Sequence, residues 1–479
     1  MTISLFGCEK DLVSTDYSDI NPAIFPKTEG DLQAMVEACY YPLRGAWWDG
    51  IHSTSENGLI WLDGTTGVLR TSSNVQRLNF LKTNEEITRY YDMFSNKISL
   101  MTQTLAAIEG SKVGTPEFRK KAIAEVRMAR AYLCYVLFDI YGPIVVAPIE
   151  VLNNPLESKP LARLTNEQMV KFIEDDLIAA TAGLPAPADA EYGRFSKGLA
   201  KMIQIRLYLH EKNWAKVLTA ANEIIAYNYY SLEDDYLKLF NIGGQKGSKE
   251  IIWAVPADYD GTSENQWQMM ALPANFPPIG GYGVCTSTWW FYDSFEAADV
   301  RKTNLVTEYT GSTGTTYNRG NIATYSFIRN GPLPLKIDLD GQRSGELTTV
   351  DMSIYRFPDV LLSKAEAIAN LSGPTPEAME LVNRVRRRAK LDNLNLMDHN
   401  TLAKFNAVVL TERQHEYWCE NGQLRADLIR MGGFIDRALL LGGTRAVEYA
   451  TPNKFVMPFS QKVVDEGKGL FLQNPGYVQ

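Results

Sequence analysis

The sequence predicts a mostly α-helical protein in which tetratricopeptide-like helical hairpins form the scaffold and a loop-rich ligand-binding insertion interrupts it. Three observations predict this class. Apolar residues recur at helical spacing over several long segments, capping residues mark the ends of these segments, and short turns separate neighbouring ones. Helix pairs that each carry one apolar stripe bury that stripe by stacking on the next pair, as in helical-repeat proteins.

The clearest helix is predicted over residues 115–141. Its apolar residues follow alternating steps of four and three, which is the helical period. Thr115 and Pro116 supply an N-cap and a first-turn proline, and Gly142 with Pro143 ends the helix. Because its second half is apolar on nearly every side, we expect this helix to lie at the centre of the protein.

The later helices show the same signals. Thr165 and Gln168 form a capping box that starts a helix. Two more helices are separated by a three-residue turn, and Thr375 with Pro376 starts another. These remaining helices are predicted over residues 196–210, 214–227, 376–389 and 402–420.

Two stretches are rich in loop residues instead. Residues 46–74 and 241–350 are dominated by glycine, asparagine, threonine and aromatic residues, with strand-like runs such as residues 250–255. We therefore predict an N-terminal helical half over residues 9–240 and a C-terminal half over residues 241–479, which is loop-rich up to 350 and helical afterwards. Loops held on a rigid scaffold are where binding sites concentrate.

Composition narrows the class of partner. A net charge of −8 and a pI near 5.3 argue against nucleic acid, because phosphate binding needs a basic face. The arginines at 384 and 386–388 and the acids at 174–176 are predicted to be solvated helix faces. The cysteines other than Cys8 show no zinc or redox spacing and are predicted to be buried thiols.

Catalytic motifs are missing from the sequence. It contains no H-E-x-x-H zinc motif, no G-x-S-x-G nucleophile elbow and no phosphate-binding loop. The absence of these motifs does not exclude an enzyme, since the two carboxylates of a glycosidase can lie far apart in sequence. Our prediction of a protein that is not an enzyme, with neither catalytic residues nor a cofactor, depends instead on the family resemblance described below. Asp338, Asp340, Gly341 and Glu346 have the composition of a calcium loop but not the spacing of an EF-hand, so a structural calcium ion there is only an alternative.

The positive functional signal is a set of aromatic residues in the two loop-rich stretches. An exposed aromatic ring offers a flat apolar face at little cost in entropy, which suits sugar rings and peptide side chains. Nearby acids and amides could hydrogen-bond the hydroxyl groups of such a ligand. The predicted ligand-binding residues are Trp47, Trp48, Trp61, Asp63, Trp267, Tyr282 and Trp289.

The beginning of the chain is typical of a bacterial lipoprotein signal. Leu5, Phe6, Gly7 and Cys8 have the order of a lipobox, in which the cysteine takes a lipid. We expect Cys8 to be the lipidated first residue of the mature protein and residues 1–8 to be the remnant of the signal. Stable anchoring needs more than one acyl chain, since each buried methylene contributes roughly 0.8 kcal/mol.

Several segments together resemble one family, the SusD/RagB-like surface lipoproteins of Bacteroidetes. They occur in the family's order from the start of the chain to its end, although Pro358 and Met457 depart from the usual alanine and isoleucine. The matching segments are residues 125–132 and 137–143, 355–362 and 364–367, 382–389, the positions Glu412, Arg413, Glu416, Glu420, Asn421, Gly422, Arg425, Asp427 and Leu428, and the closing residues 457–458 and 473–477.

The resemblance implies a lipoprotein on the cell surface, held in the outer membrane at Cys8. Such a protein would cap a SusC/RagA-like TonB-dependent transporter and present glycans to it without reacting with them. The acidic residues Glu9 and Asp11 fit the surface-export signal of these lipoproteins.

Three other functions stay open at this level. A RagB-like protein would import peptides rather than glycans. A secreted helical carbohydrate-active enzyme would need two carboxylates within ~10 Å of each other in a cleft. A helical adaptor would bind another protein through a concave face, with its loop aromatics buried.

Overall fold

A computed structural model describes residues 26–45, 49–55, 58–71, 74–154, 159–259, 263–321, 327–337, 345–442 and 449–477. Helices dominate these residues and the strands are short, so the predicted class is confirmed. The helices are α1 (Glu29–Tyr40), α2 (Glu85–Gly110), α3 (Pro116–Tyr141), α4 (Ile149–Leu152), α5 (Asn166–Gly183), α6 (Lys197–His210), α7 (Trp214–Ala226), α8 (Trp267–Ala271), α9 (Trp289–Asp293), α10 (Phe357–Ser372), α11 (Pro376–Arg388), α12 (Leu402–Tyr417), α13 (Gln423–Met431), α14 (Phe434–Gly442) and α15 (Gln461–Glu466).

The helices begin where their capping residues predict. Thr115 accepts a hydrogen bond from the backbone N–H of Phe118 at the start of α3, and Thr165 forms a complete capping box with Gln168 at α5. The second half of α3 is buried on almost every side, as its composition requires. The predicted central position of this helix is therefore confirmed.

The helices pack as successive antiparallel hairpins. Helix α2 pairs with α3, and α5 packs on the other side of α3. Helices α6 and α7 form the next hairpin, and α10 with α11 forms another that packs against α7 and α12. This stacking is the tetratricopeptide-like scaffold that the helix spacing predicted. The division into halves at residue 240 stays a prediction.

Short antiparallel strand pairs tie the loops to the scaffold. They are β1 (Leu69–Thr71) with β3 (Cys285–Ser287), β2 (Ile251–Val255) with β8 (Met352–Arg356), β4 (Leu305–Val306) with β7 (Leu333–Pro334), and β5 (Glu308–Thr310) with β6 (Thr316–Asn318). The pair β2–β8 brings the two ends of the second loop-rich stretch together, with Ile251 opposite Arg356. The loops of residues 256–351 therefore leave and re-enter the scaffold at one place.

Helix α12 ends at Tyr417, three residues before its predicted end. The backbone carbonyls of Glu416 and Trp418 accept hydrogen bonds from the Lys336 ammonium at 2.8 and 2.9 Å. The backbone N–H of Cys419 donates to the Asp63 carboxylate at 2.8 Å. Because side chains distant in sequence take these backbone groups, the helix stops at Tyr417.

The motif segments in the C-terminal half supply a buried set of ion pairs, which we call the central ion network. Arg356 lies at its middle and contacts Glu250 and Glu416 at 2.6 Å and Glu420 at 2.5 Å. The network holds five cations and five carboxylates, so its charges balance. Its members are Glu250, Asp299, Arg301, Lys336, Arg356, Arg386, Arg388, Glu412, Glu416 and Glu420.

A second ion network lies beside the first and joins the two parts of the chain. Arg206 of α6 contacts Asp359 of α10 at 2.7 Å and Asp427 of α13 at 2.8 Å. Arg413 and Arg430 complete it together with Glu366. Buried charges of this kind are tolerated only when they are paired, because desolvation of a single ion costs several kcal/mol.

The prediction that the arginines at 384 and 386–388 and the acids at 174–176 form solvated helix faces is wrong in part. Arg386 and Arg388 are buried in the central ion network, whereas Arg387 is exposed and pairs with Glu380. Asp176 is also buried, where it accepts hydrogen bonds from Arg127 and Arg130. Two charges of the first segment and one of the second thus turn inward, and partners from another helix neutralise them.

Candidate functional site

The two loop-rich stretches meet in space. The backbone N–H of Glu264 donates to the carbonyl of Gly45 at 3.2 Å, and that of Gln266 donates to the Thr54 hydroxyl at 2.6 Å. Strand β1 of the first stretch pairs with β3 of the second. Residues more than 200 positions apart in the sequence therefore build one loop layer on the helical scaffold.

The outer part of this layer carries partly exposed rings and one isoleucine. We call this part the aromatic loop surface. The ring of Phe276 lies 5.4 Å from that of Tyr309, and Tyr309 stacks on Tyr317 across the β5–β6 hairpin at 5.0 Å. The Tyr309 hydroxyl donates to the side chain of Asn275 at 3.0 Å. The surface is made of Phe276, Ile279, Tyr282, Trp289, Tyr317 and Phe327.

Tyr282 is the most exposed ring of this surface, with half of its area accessible (50%). Its backbone N–H donates to the carbonyl of Met269, and its hydroxyl donates to the Glu346 carboxylate. That bond raises the pKa of Tyr282, because the carboxylate favours the protonated hydroxyl. Gly283 has a φ of +60°, and a Cβ there would lie 3.1 Å from Phe327, so glycine lets the Phe327 ring pack against this backbone.

Trp289 starts helix α9 and is held in a fixed orientation. Its indole N–H donates to the carbonyl of Ile328 at 3.2 Å. The Arg319 guanidinium lies over its ring, 4.5 Å from the centroid. Asp293 holds that guanidinium through two hydrogen bonds of 2.8 and 2.9 Å. These hydrogen bonds lower the pKa of Asp293 and raise that of Arg319.

Two of the predicted ligand-binding residues lie in the interior instead. Trp267 is fully buried (0% exposed), and its indole N–H donates to the carbonyl of Pro334 at 2.8 Å. Asp63 is also fully buried (0%), and burial raises its pKa to about 7. Neither offers surface to a ligand, so both are corrected to packing positions under the loop layer.

The other predicted residues fall into two groups. Tyr282 and Trp289 lie on the aromatic loop surface, and Trp61 is partly buried beneath it, 5.6 Å from the ring of Trp267. The Trp61 indole donates to the carbonyl of Ser55. Trp47 and Trp48, the lipobox with Cys8, and the calcium-loop residues Asp338, Asp340 and Gly341 lie outside the described residues.

Sequence reasoning missed several members of the surface. Phe276, Tyr317 and Phe327 were not singled out, and nothing marked Arg319 as a partner of Trp289. The only usable signal was the aromatic content of residues 309–327 around the glycines of the β5–β6 turn. The contacts of Trp289 with Arg319 and Ile328 and of Tyr282 with Glu346 join residues 30 or more positions apart, which local patterns do not record.

The loop layer carries charged groups of both signs. Glu308 and Glu346 form no ion pair within the part of the chain that the structure describes. Burial raises the pKa of Glu264, and the nearby carboxylates of Asp258 and Glu346 raise it further. Among the described residues, no group of three or more His, Cys, Asp or Glu side chains could hold a metal ion. Within the same residues, we find no helix with the length and apolarity to cross a bilayer.

Comparison with known proteins finds one family. The model of the SusD family matches residues 308–477, which include most of the two ion networks. This chain is therefore similar to SusD/RagB-like proteins. It is 25% identical to SusD-like protein P25 of Formosa agariphila over 97% of this chain and 93% of that one, and 23% identical to a SusD-like protein of Bacteroides ovatus over 64% and 60%.

Solved structures share the fold. A SusD superfamily protein of Parabacteroides distasonis superposes with a TM-score of 0.77 at 20% identity, covering 94% of this chain and 99% of that one. Surface glycan-binding protein A of Bacteroides thetaiotaomicron, in complex with laminarihexaose, superposes with a TM-score of 0.74 at 19% identity, covering 93% and 99%. The relatives are named as SusD-like proteins and not as enzymes, in agreement with the non-catalytic role predicted above.

Proposed function

We propose that this protein binds glycans without reacting with them and that the aromatic loop surface is the binding site. One observation carries the proposal: partly exposed rings, of which Tyr282 and Trp289 are fixed by hydrogen bonds, stand on a helical scaffold beside carboxylate and amide groups. Tyr282 presents half its area to solvent while its hydroxyl and backbone are both bonded. A ring held in this way loses little entropy when a ligand stacks on it.

The chemistry of the surface suits sugars. A sugar ring has apolar C–H faces that pack on aromatic rings and hydroxyl groups around its edge that exchange hydrogen bonds. Glu346, Glu308 and the Asn275 and Asn318 amides lie around the rings and can accept from or donate to such hydroxyls. The laminarihexaose bound to the structurally similar glycan-binding protein supports this ligand class.

We also propose how the bound glycan is used. Similarity to the SusD/RagB-like family supports a lipoprotein anchored at Cys8 in the outer membrane and exposed on the cell surface. There the protein would deliver its glycan to a partner SusC-like TonB-dependent transporter. Replacement of Cys8 by alanine should release the protein from the membrane fraction, and affinity purification of the wild-type protein from its own cells should recover the transporter.

Binding itself is tested by calorimetry on the purified protein with a panel of oligosaccharides that includes laminarihexaose. We expect Tyr282→Ala to weaken the best ligand roughly three- to tenfold, since one aromatic contact contributes about 0.5–1.5 kcal/mol. Phe455→Ala is the matched control, because Phe455 is an exposed ring on the C-terminal segment (38%) and should leave affinity unchanged. If the protein binds peptides but none of the glycans in the panel, its ligands are peptides rather than glycans.

A further inference from the structure

The charges around Trp289 point to the class of glycan. The Arg319 guanidinium covers one face of the indole, and its side chain is half exposed (51%), as is that of Asp293 (49%). Any ligand that reaches Trp289 therefore meets this pair. Asp293 neutralises Arg319 through two short hydrogen bonds, so the pair carries no net charge.

An acidic sugar would need a free cation at this position. A carboxylate or sulfate loses its water on binding, and an unpaired arginine or lysine must replace that water. Arg319 already donates both terminal nitrogens to Asp293. An acidic ligand would have to break this pair and leave the Asp293 carboxylate facing its own negative charge.

The remaining charges of the surface carry no net sign. Glu308 and Glu346 stand among the rings without an ion-pair partner in the described part of the chain. Lys302 lies over the ring of Tyr292 at 4.0 Å, and Arg329, two residues after Phe327, is an exposed cation. Positive and negative side chains are thus close to balance, and no cluster of free cations forms among the described residues.

We propose that the aromatic loop surface selects uncharged oligosaccharides and that Asp293 is the residue that determines this specificity. The proposal rests on the glycan-binding function proposed above and adds the chemical class of the ligand. Asp293 acts through Arg319: it holds the guanidinium flat on Trp289 and cancels its charge. Removal of the carboxylate turns the same platform into an anion-binding one.

The test uses an array of neutral hexaoses that includes laminarihexaose, each paired with its form oxidised at C6 to the uronate. Affinities are measured at low salt, because screening hides the interaction of exposed charges. Wild type should prefer the neutral member of each pair. Asp293→Asn adds one local positive charge and should shift the neutral-to-acidic affinity ratio toward the acidic form by roughly three- to tenfold.

Two matched variants separate charge from damage to the fold. Arg319→Gln leaves a local negative charge and should not move the ratio toward the acidic form. The double variant with Asp293→Asn and Arg319→Gln restores neutrality and should return the ratio to the wild-type value. If the neutral-to-acidic affinity ratio does not follow the local charge across these three variants, the proposed role of Asp293 is overturned.

The two proposals fail in different ways. If wild type binds acidic hexaoses as tightly as neutral ones, or more tightly, glycan binding stands and the selection for uncharged ligands is overturned. If no member of the array binds, the glycan-binding function fails and this inference fails with it.

Discussion

The central ion network and the aromatic loop surface are the two most distinctive regions of the molecule, and they differ in almost every physical respect. The network is buried, and six of its ten charged side chains, such as Arg356 and Glu416, lie in recognisable motifs. The surface is half exposed and built from rings on loops, such as Tyr282 and Trp289, which belong to no motif. The motifs of this chain therefore describe its scaffold, whereas the loop surface on which we propose that the ligand binds carries no motif.

The energetics explain why the two regions differ in this way. Each buried charge of the network is matched by opposite charges, so a change at one position leaves its partners unpaired in a medium that cannot solvate them. A ring on the surface is partly in water and contacts few neighbours, so replacing it costs the fold little. Substitutions on a loop surface of this kind can therefore change ligand specificity at little cost to the stability of the scaffold.

The largest expected effect comes from breaking the network at its middle. Arg356→Ala should lower the free energy of unfolding by about 3–5 kcal/mol, because Glu250, Glu416 and Glu420 lose their shared cation. Urea unfolding followed by circular dichroism measures this loss. The control is Arg387→Ala, whose side chain is 44% exposed and pairs with Glu380, and it should cost at most about 1 kcal/mol. Equal losses in the two variants would contradict the distinction between buried and exposed pairs.

The next effect tests the boundary between the two regions. Trp267 lies beneath the loop layer with no exposed area, so Trp267→Ala should destabilise the protein by about 3–5 kcal/mol through the cavity it leaves. The carbonyl of Pro334 would also lose its donor. The same denaturation experiment measures the loss. A variant of wild-type stability that binds no glycan would show instead that Trp267 contacts the ligand.

Asp63 tests how burial acts on a carboxylate that forms no ion pair in the described part of the chain. Its pKa of about 7 in the folded state lies above the value near 4 of an unfolded aspartate. Between these two values the folded protein binds a proton that the unfolded chain releases, so the contribution of Asp63 to stability falls as the pH rises from about 4 to 7. Asp63→Asn lacks this dependence, and its stability relative to wild type should rise over that range in denaturation curves taken at several pH values. A constant difference would show that Asp63 is ionised in the folded state throughout.

The smallest effect is expected on the surface. Tyr282→Phe keeps the ring but removes the hydroxyl that donates to Glu346. Because the side chain is half exposed, the free energy of unfolding should change by less than about 0.5 kcal/mol. Glycan affinity measured by calorimetry should fall less than it does in Tyr282→Ala. A loss of stability comparable to that of Trp267→Ala would show that Tyr282 is part of the core. It would contradict the distinction between the buried network and the exposed loop surface.

The sequence predicted the scaffold well because its signals are local. The caps at Thr115 and Thr165, the proline at Pro376 and the apolar period of α3 act within one or two helical turns. The prediction failed where a distant residue intervened. Helix α12 stops early because Lys336 and Asp63 take its backbone groups, and Arg386 is buried because Glu412 from another helix pairs with it.

The candidate site shows the same division more sharply. Tyr282 and Trp289 were predicted and do lie on the loop surface, whereas Trp267 and Asp63 were predicted with the same reasoning and lie in the interior. Sequence composition names the aromatic loops but does not say which ring faces water. That choice depends on which loop packs over which, and the loops meet across more than 200 positions, as Thr54 and Gln266 do.

By itself, then, the sequence determined several of the helices, their order and the resemblance to SusD/RagB-like proteins, since period, caps and motif spacing are properties of neighbouring residues. Only the tertiary structure decided which charges are buried in pairs, which tryptophans are core and that Arg319 rests on Trp289. Burial and ion pairing depend on contacts between segments far apart in the chain, and the folded packing alone brings those segments together.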